Sequence, residues 1–191
     1  MTIISTSLIL NTTTMKFICL TFTILLSYYA VHSQTPPPPV DKSKMNVFKD
    51  WVGNWKGEGW IQPGPGTPQK SIVDEHIEYK LDGMIVTVEG TGKSPDDEGK
   101  IVHHAFAVLY YDQTAKAYKF RSFLKDGRNT DAWFEVTGEN KYRWGFDVPT
   151  GKIAYTINLD TSAGKWNEIG EFSSDGKTWY KFFEMNLTRA N

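Results

Sequence analysis

Apolar and polar residues alternate with a period of two along most of the chain after residue 53. The alternation recurs in ten segments separated by turn signals such as Asp126-Gly127 and Asp175-Gly176. The segments are 55–61, 71–79, 84–89, 102–111, 117–124, 130–136, 142–146, 153–159, 166–172 and 178–187. No helix-length segment interrupts them, so parallel βαβ units are excluded and an antiparallel meander is predicted. A meander hides its edges most simply by closing on itself, which predicts an up-and-down barrel.

One segment before the strands has a helical period instead. Residues 42–52 place Met45, Phe48 and Trp51 on one face, with lysines opposite, and Gly53 follows. We predict one short amphipathic helix that covers an end of the barrel. The predicted fold is therefore all-β, an antiparallel barrel of about ten strands with one N-terminal capping helix, over residues 42–191.

The first 33 residues have the composition of a secretory signal. Lys16 is their only charged residue, and the apolar stretch 17–26 follows it. Val31 and Ser33 suit cleavage after Ser33, so we predict a signal peptide over 1–33 that starts at Met1 or at Met15. An uncleaved anchor is the alternative, but the stretch is short for a span of about 20 residues. We expect a secreted or periplasmic protein with no membrane span after cleavage.

Composition limits the partners of the mature chain. Residues 34–41 contain four consecutive prolines and are predicted to form a stiff polyproline II linker. Basic and acidic residues number 21 and 22, without a basic run, so no nucleic-acid partner is expected. The one cysteine lies within the predicted signal, which excludes a disulfide framework and a cysteine-based zinc site. The sequence leaves the oligomeric state open.

Two groups of motifs carry a family resemblance. Residues 48–59, with their helix–Gly–x–Trp–x–Gly–x–Gly pattern, resemble the start of lipocalin-like and nitrobindin-like barrels. Later motifs are similar to an uncharacterised family of exported bacterial lipocalin-like domains: 79–84, 90–92, 109–112, Tyr118 and Phe120. The resemblance implies a lipocalin-like fold, and for nitrobindins also haem bound by a histidine on a late strand. No histidine follows His104, so we predict no haem and no other cofactor.

Aromatic residues are the main candidates for a binding site. On two strands they alternate with Lys119, Arg121, Lys141 and Arg143, whose charges need water, so the aromatic rings are expected to point inward. The candidate ligand-binding residues are Tyr118, Phe120, Tyr142, Trp144, Phe146, Trp179, His76 and His104. Two interpretations stay open, a lumen that holds a flat apolar ligand and a packed aromatic core.

The sequence contains few residue combinations that are typical of catalytic sites. The sequence has no nucleophile elbow and no phosphate-binding glycine loop, and Gly90-Thr91-Gly92 is interpreted as a loop. His103 and His104 must face opposite sides of a strand, so only one of them could join His76 and a carboxylate in the lumen. Exposed strand histidines are the alternative, and no metal site is predicted. Strand acids are too numerous to select a pair, and we expect most of them on solvated faces: Asp74, Glu75, Glu78, Glu89, Glu135, Glu168, Glu171 and Glu184.

Three functions fit these features. The first is an exported barrel that binds a small, largely apolar or aromatic ligand in its lumen. The second is a barrel-type isomerase, cyclase or hydrolase that uses a lumenal histidine and a carboxylate. The third is a non-catalytic accessory protein of an envelope or polysaccharide-processing system.

The predicted signal peptide has a direct test. We expect the intact mass of the exported protein to correspond to a chain that begins at Gln34, because signal peptidase cleaves after small residues such as Ser33. A mature protein that still carries residues 15–33 would contradict this prediction.

Overall fold

The computed structural model describes residues 41–97 and 99–190, and these residues form a closed barrel. Each strand pairs antiparallel with the next, and β1 also pairs with β10, which closes the ring and confirms the predicted up-and-down topology. The strands are β1 (Gly53–Ile61), β2 (Gln69–Lys80), β3 (Ile85–Lys93), β4 (Ile101–Asp112), β5 (Ala117–Leu124), β6 (Asn129–Gly138), β7 (Lys141–Val148), β8 (Gly151–Asp160), β9 (Lys165–Ser173) and β10 (Tyr180–Ala190).

The predicted signal peptide and residues 34–40 lie outside the described residues. In the described part of the chain, no helix is long and apolar enough to cross a membrane.

The capping helix exists, but it is shorter and tighter than the sequence predicts. It is a 3-10 helix over Lys42–Phe48, and Asp41 caps it by accepting a 2.9 Å hydrogen bond from the Ser43 amide. A turn follows it, because the amide of Trp51 donates to the Phe48 carbonyl three residues earlier. We call residues 42–52 the plug. Its three large apolar side chains are almost completely buried in the barrel: Met45, Phe48 and Trp51.

Side chains of the barrel donate hydrogen bonds to the backbone carbonyls of the plug. The hydroxyls of Tyr79, Tyr118 and Tyr142 donate hydrogen bonds to the carbonyls of residues 45, 44 and 47 over 2.7–2.8 Å. These bonds satisfy carbonyl groups that a short helix leaves without intrahelical partners. Arg189 on β10 donates to the carbonyls of residues 52 and 50 and lies 4.4 Å from the centre of the Trp55 ring. The plug therefore fills one end of the barrel.

One segment predicted as a loop is part of a strand. Gly90-Thr91-Gly92 lies inside β3, opposite residues 73–75 of β2, so the loop interpretation is wrong. These glycines lack side chains but still contribute to the backbone hydrogen-bond ladder, which the alternation of side chains cannot reveal.

The last strand carries an irregularity that changes which side chains face inward. The pairing of β10 with β9 shifts between Lys181 and Phe183, and Lys181 lies outside with its ammonium 5.5 Å from the Trp60 ring. Trp179 precedes the strand and lies beside Arg143, 5.8 Å from its guanidinium, on the outer surface. Trp179, a candidate for the lumen by sequence, therefore lies outside it, because the extra residue at Phe182 reverses the alternation.

The buried plug should dominate the stability of the fold. Phe48 is 0% exposed, so Phe48→Ala leaves a cavity, and we expect it to lower the free energy of unfolding by about 3–5 kcal/mol. Val47 is the control, because its side chain is exposed and Val47→Ala should change stability by less than about 0.5 kcal/mol. Denaturant unfolding of both variants measures the difference, and equal losses would contradict the role of the plug.

Candidate functional site in the open half of the barrel

The two halves of the lumen differ in how tightly they are packed. Under the plug, the inward side chains of Trp55, Ile77 and Leu109 are at most 1% exposed. In the other half, inward side chains such as Ala105 and Phe146 are partly exposed although they face the barrel interior. Because solvent still reaches these inward side chains, we call this half of the barrel the cup, with the plug end as its floor. The cup residues used below are Glu75, Phe120, Trp144, Phe146, Tyr155, Glu168, Phe183 and Met185.

One wall of the cup is a continuous aromatic surface. Trp144 on β7 and Tyr155 on β8 are direct cross-strand neighbours, and their rings stack 4.0 Å apart at 8°. Phe120 lies 4.8 Å from Trp144, and Phe183 lies 5.6 Å from Tyr155. Trp144 and Tyr155 remain only half-buried. These rings therefore offer an apolar molecule a hydrophobic contact surface.

Two inward carboxyl groups lie in the same half of the barrel. Glu168 on β9 is 7% exposed, and its Oε1 accepts a 2.9 Å hydrogen bond from the indole of Trp144. The indole N–H of Trp166 lies near the same carboxyl but outside hydrogen-bond geometry. Glu75 on β2 lies over Gly90, where an added Cβ would be 3.0 Å from Glu75 Oε1. Gly90 thus leaves room for this carboxyl.

Burial governs the protonation of both acids. Desolvation raises the pKa of Glu168 to about 7, although the two neighbouring indoles act to lower it. Desolvation and the charge of Glu168 together raise the pKa of Glu75 to about 8. The pair therefore keeps at least one proton near neutral pH, and these groups can donate as well as accept hydrogen bonds.

The predicted aromatic candidates fall into two groups. Phe120, Trp144 and Phe146 line the cup. Tyr118 and Tyr142 also face inward, but their hydroxyls are bound to the plug and their rings pack against Phe48. The inward candidates thus divide between rings packed against the plug and rings on the cup side of the barrel.

The predicted histidines do not enter the lumen. His76 Nδ1 donates a 2.7 Å hydrogen bond to Asn54 Oδ1, and His104 Nε2 donates one of 2.9 Å to Glu89 Oε1, both on the outer surface. Even-numbered residues of β2 and β4 face outward, because Val73 and Ala107 of the same strands are buried. His103 faces inward at the mouth, where partial burial and the charge of His104 lower its pKa. A lumenal site with His76 or His104 is therefore not formed, and no group of three potential metal ligands occurs among the described residues.

Sequence reasoning missed Glu75, Glu168 and Tyr155. It expected most of the eight strand acids on solvated faces without selecting among them, and Glu75 and Glu168 are the two that face inward. A signal was present, because Glu75 lies two residues from Val73 and from Ile77 on the same strand face. Glu168 likewise shares its face with Trp166. An acid at a position where the flanking alternate residues are apolar faces the interior.

The outer surface also carries an aromatic groove of about 800 Å³ across β4, β5 and β6. Its side chains include Tyr110, Phe123 and Trp133. Two of its charged side chains form an ion pair, since Arg121 lies 3.5 Å from Asp131 across the strands. The groove therefore holds no unpaired buried group comparable to Glu75 or Glu168.

Comparison with known proteins supports the fold. The sequence matches no protein-family model and no curated protein. The structure is similar to Rv2717c from M. tuberculosis, with a TM-score of 0.59, 11% identity, and coverage of 80% of this chain and 99% of that one. It is also similar to the S-type phycobiliprotein lyase CPES from Guillardia theta, with a TM-score of 0.52, 11% identity and the same coverage. The chain therefore has a lipocalin-like barrel fold; at this identity the likeness concerns the fold alone.

The raised pKa values predict how stability depends on pH. Between the usual carboxyl range near pH 4.5 and about pH 8, the folded protein binds more protons than the unfolded chain, so these acids make stability fall as the pH rises. Glu75→Gln should flatten this decline and stabilise the protein at pH 8.5 by on the order of a few kcal/mol. Unfolding of the variant and wild type across pH 5–8.5 measures the effect, and the contribution of His103 cancels in that comparison. Glu171→Gln, on the outer face of β9, is the control, and identical profiles for all three proteins would refute the prediction.

Proposed function

We propose that this protein is an exported barrel that binds a small, largely apolar or aromatic molecule in its cup. The observation that carries the proposal is the contrast between the two halves of the lumen. The plug closes one end with fully buried rings, while the half-buried rings of Trp144 and Tyr155 border the open half. A concave apolar site with a few convergent polar groups is the usual form of a small-molecule site.

The comparisons are consistent with this proposal. A phycobiliprotein lyase is among the proteins that share the fold. We transfer no substrate from it, because 11% identity does not carry a binding site from one barrel to another.

Export is supported by the sequence alone. A basic residue, an apolar stretch and small residues at the cleavage position occur in order over residues 15–33. We therefore propose a secreted or periplasmic carrier or sensor. It has no disulfides and depends on its packed plug for stability.

A second candidate function follows from the two carboxyl groups. The pKa of Glu168 is raised to about 7, which is the range in which a carboxyl group exchanges protons efficiently at neutral pH. A barrel-type isomerase, cyclase or hydrolase could use Glu75 and Glu168 as acid and base, without the histidine that the sequence suggested. Mass spectrometry of a ligand recovered after incubation separates the two functions, because a carrier returns the molecule unchanged.

The binding proposal predicts one saturable site for a neutral apolar probe. N-phenyl-1-naphthylamine should bind wild type with enhanced fluorescence, and Trp144→Ala should weaken binding by about tenfold because it removes part of the aromatic wall. Trp133→Ala is the matched control, since this tryptophan is 41% exposed on the outer surface. Circular dichroism verifies that each variant is folded.

The contrary outcome is equally specific. If wild type binds no probe and only Trp144→Ala gains a site, the barrel is solid and the cup is not a binding site.

A further inference from the structure

The inward face of the barrel holds two acids and hardly any basic group. The strand registers place Glu75, Glu168, Arg189 and His103 on this face. Arg189 is committed to the plug carbonyls and the Trp55 ring. His103 lies at the mouth and is exposed. Among the described residues, neither acid has an ion-pair partner.

The described residues give the two acids few hydrogen bonds. Glu168 accepts a hydrogen bond from Trp144, and the indole of Trp166 lies beside the same carboxyl. Glu75 is not among the hydrogen-bonded side chains of the described residues. Two inward carboxyl groups without a counter-charge therefore indicate a ligand that supplies one.

We propose that the ligand is a flat aromatic molecule with a protonated nitrogen, and that Glu75 and Glu168 bind this nitrogen at the base of the cup. The inference rests on the proposed function of the cup and names the chemical class of its ligand.

Charge and shape both select this class. A cationic N–H group supplies the counter-charge that the barrel does not provide, and charge-assisted hydrogen bonds to carboxylates are the stronger kind. The half-buried rings of Trp144 and Tyr155 offer a planar molecule an apolar contact surface beside the acids. An anionic ligand would meet two acids in a poorly solvated space and be repelled.

Binding of a cation should displace a proton from the acid pair. In the free protein, desolvation and the charge of Glu168 keep Glu75 protonated near neutral pH. The other titratable groups on the elements packed around the pair are Asp50, Tyr79, His103, Tyr142, Tyr155 and Arg189. The tyrosine pKa values are raised by burial, and Arg189 keeps its charge at any pH used here, so the carboxyl pair dominates proton release.

The test uses three planar probes of similar size and different charge. At pH 8, 9-aminoacridine is cationic, acridine is neutral and anthracene-9-carboxylate is anionic. We expect wild type to bind 9-aminoacridine at least about tenfold more tightly than acridine, and the anion weakest. The double variant E75Q/E168Q should lose this preference, while E171Q should keep it. Calorimetry in two buffers at pH 7 should show release of up to about one proton per cation bound, and none in the double variant.

The outcomes separate this inference from the proposed function. Equal affinities for the three probes, a preference for the anion, or a cation preference that survives in E75Q/E168Q would overturn the inference. If N-phenyl-1-naphthylamine still binds in the cup in those cases, the proposed function stands. If none of the four probes binds wild type, both fail. Binding of N-phenyl-1-naphthylamine to E75Q/E168Q shows that the variant retains a folded cup.

Discussion

A closed barrel of ten strands encloses more space than its backbone can fill, so side chains must occupy its interior. The plug supplies Met45, Phe48 and Trp51 to one end, and three tyrosine hydroxyls fix its carbonyls there. The plug thus divides the barrel interior into a plugged half and an unplugged half, which differ in their packing. The plugged half provides the buried apolar area that stabilises a chain without disulfides, and inward side chains of the other half remain partly exposed.

The acids in the open half oppose the stability that the plug provides. A desolvated carboxylate is unfavourable, and two of them in one barrel are more so, which is why both pKa values are raised. Such groups persist where a function requires them, since surplus stability elsewhere compensates for a destabilised site. Trp144 belongs both to the aromatic wall and to the surroundings of the acids, because its ring stacks on Tyr155 and its N–H donates a hydrogen bond to Glu168.

The fold could be predicted from the sequence because alternation and turns are local signals. Asp175-Gly176 and similar turns fix the strand order, and the ladder then closes without further information. Predictions failed where one residue changes the alternation. The irregularity between Lys181 and Phe183 moves Trp179 outside, and no propensity marks such a position.

The candidate site could be predicted only in part. The inward direction of Phe120, Trp144 and Phe146 follows from their charged neighbours. Glu75 and Glu168 resemble six other strand acids by residue type, and only their apolar flanking positions distinguish them. The plug inserts into one end of the barrel through long-range contacts. The periodicity of the strands does not indicate which end this is.

The most direct test of the account is to locate a bound cation among the seven tryptophans. Each indole N–H gives one resolved signal in a ¹H–¹⁵N spectrum, and titration with 9-aminoacridine reports which of them lie near the ligand. The account predicts that the signals of Trp144 and Trp166 shift and that those of Trp60, Trp133 and Trp179 on the outside do not. Shifts confined to the outer tryptophans, or no shift at Trp144 under saturating ligand, would contradict it.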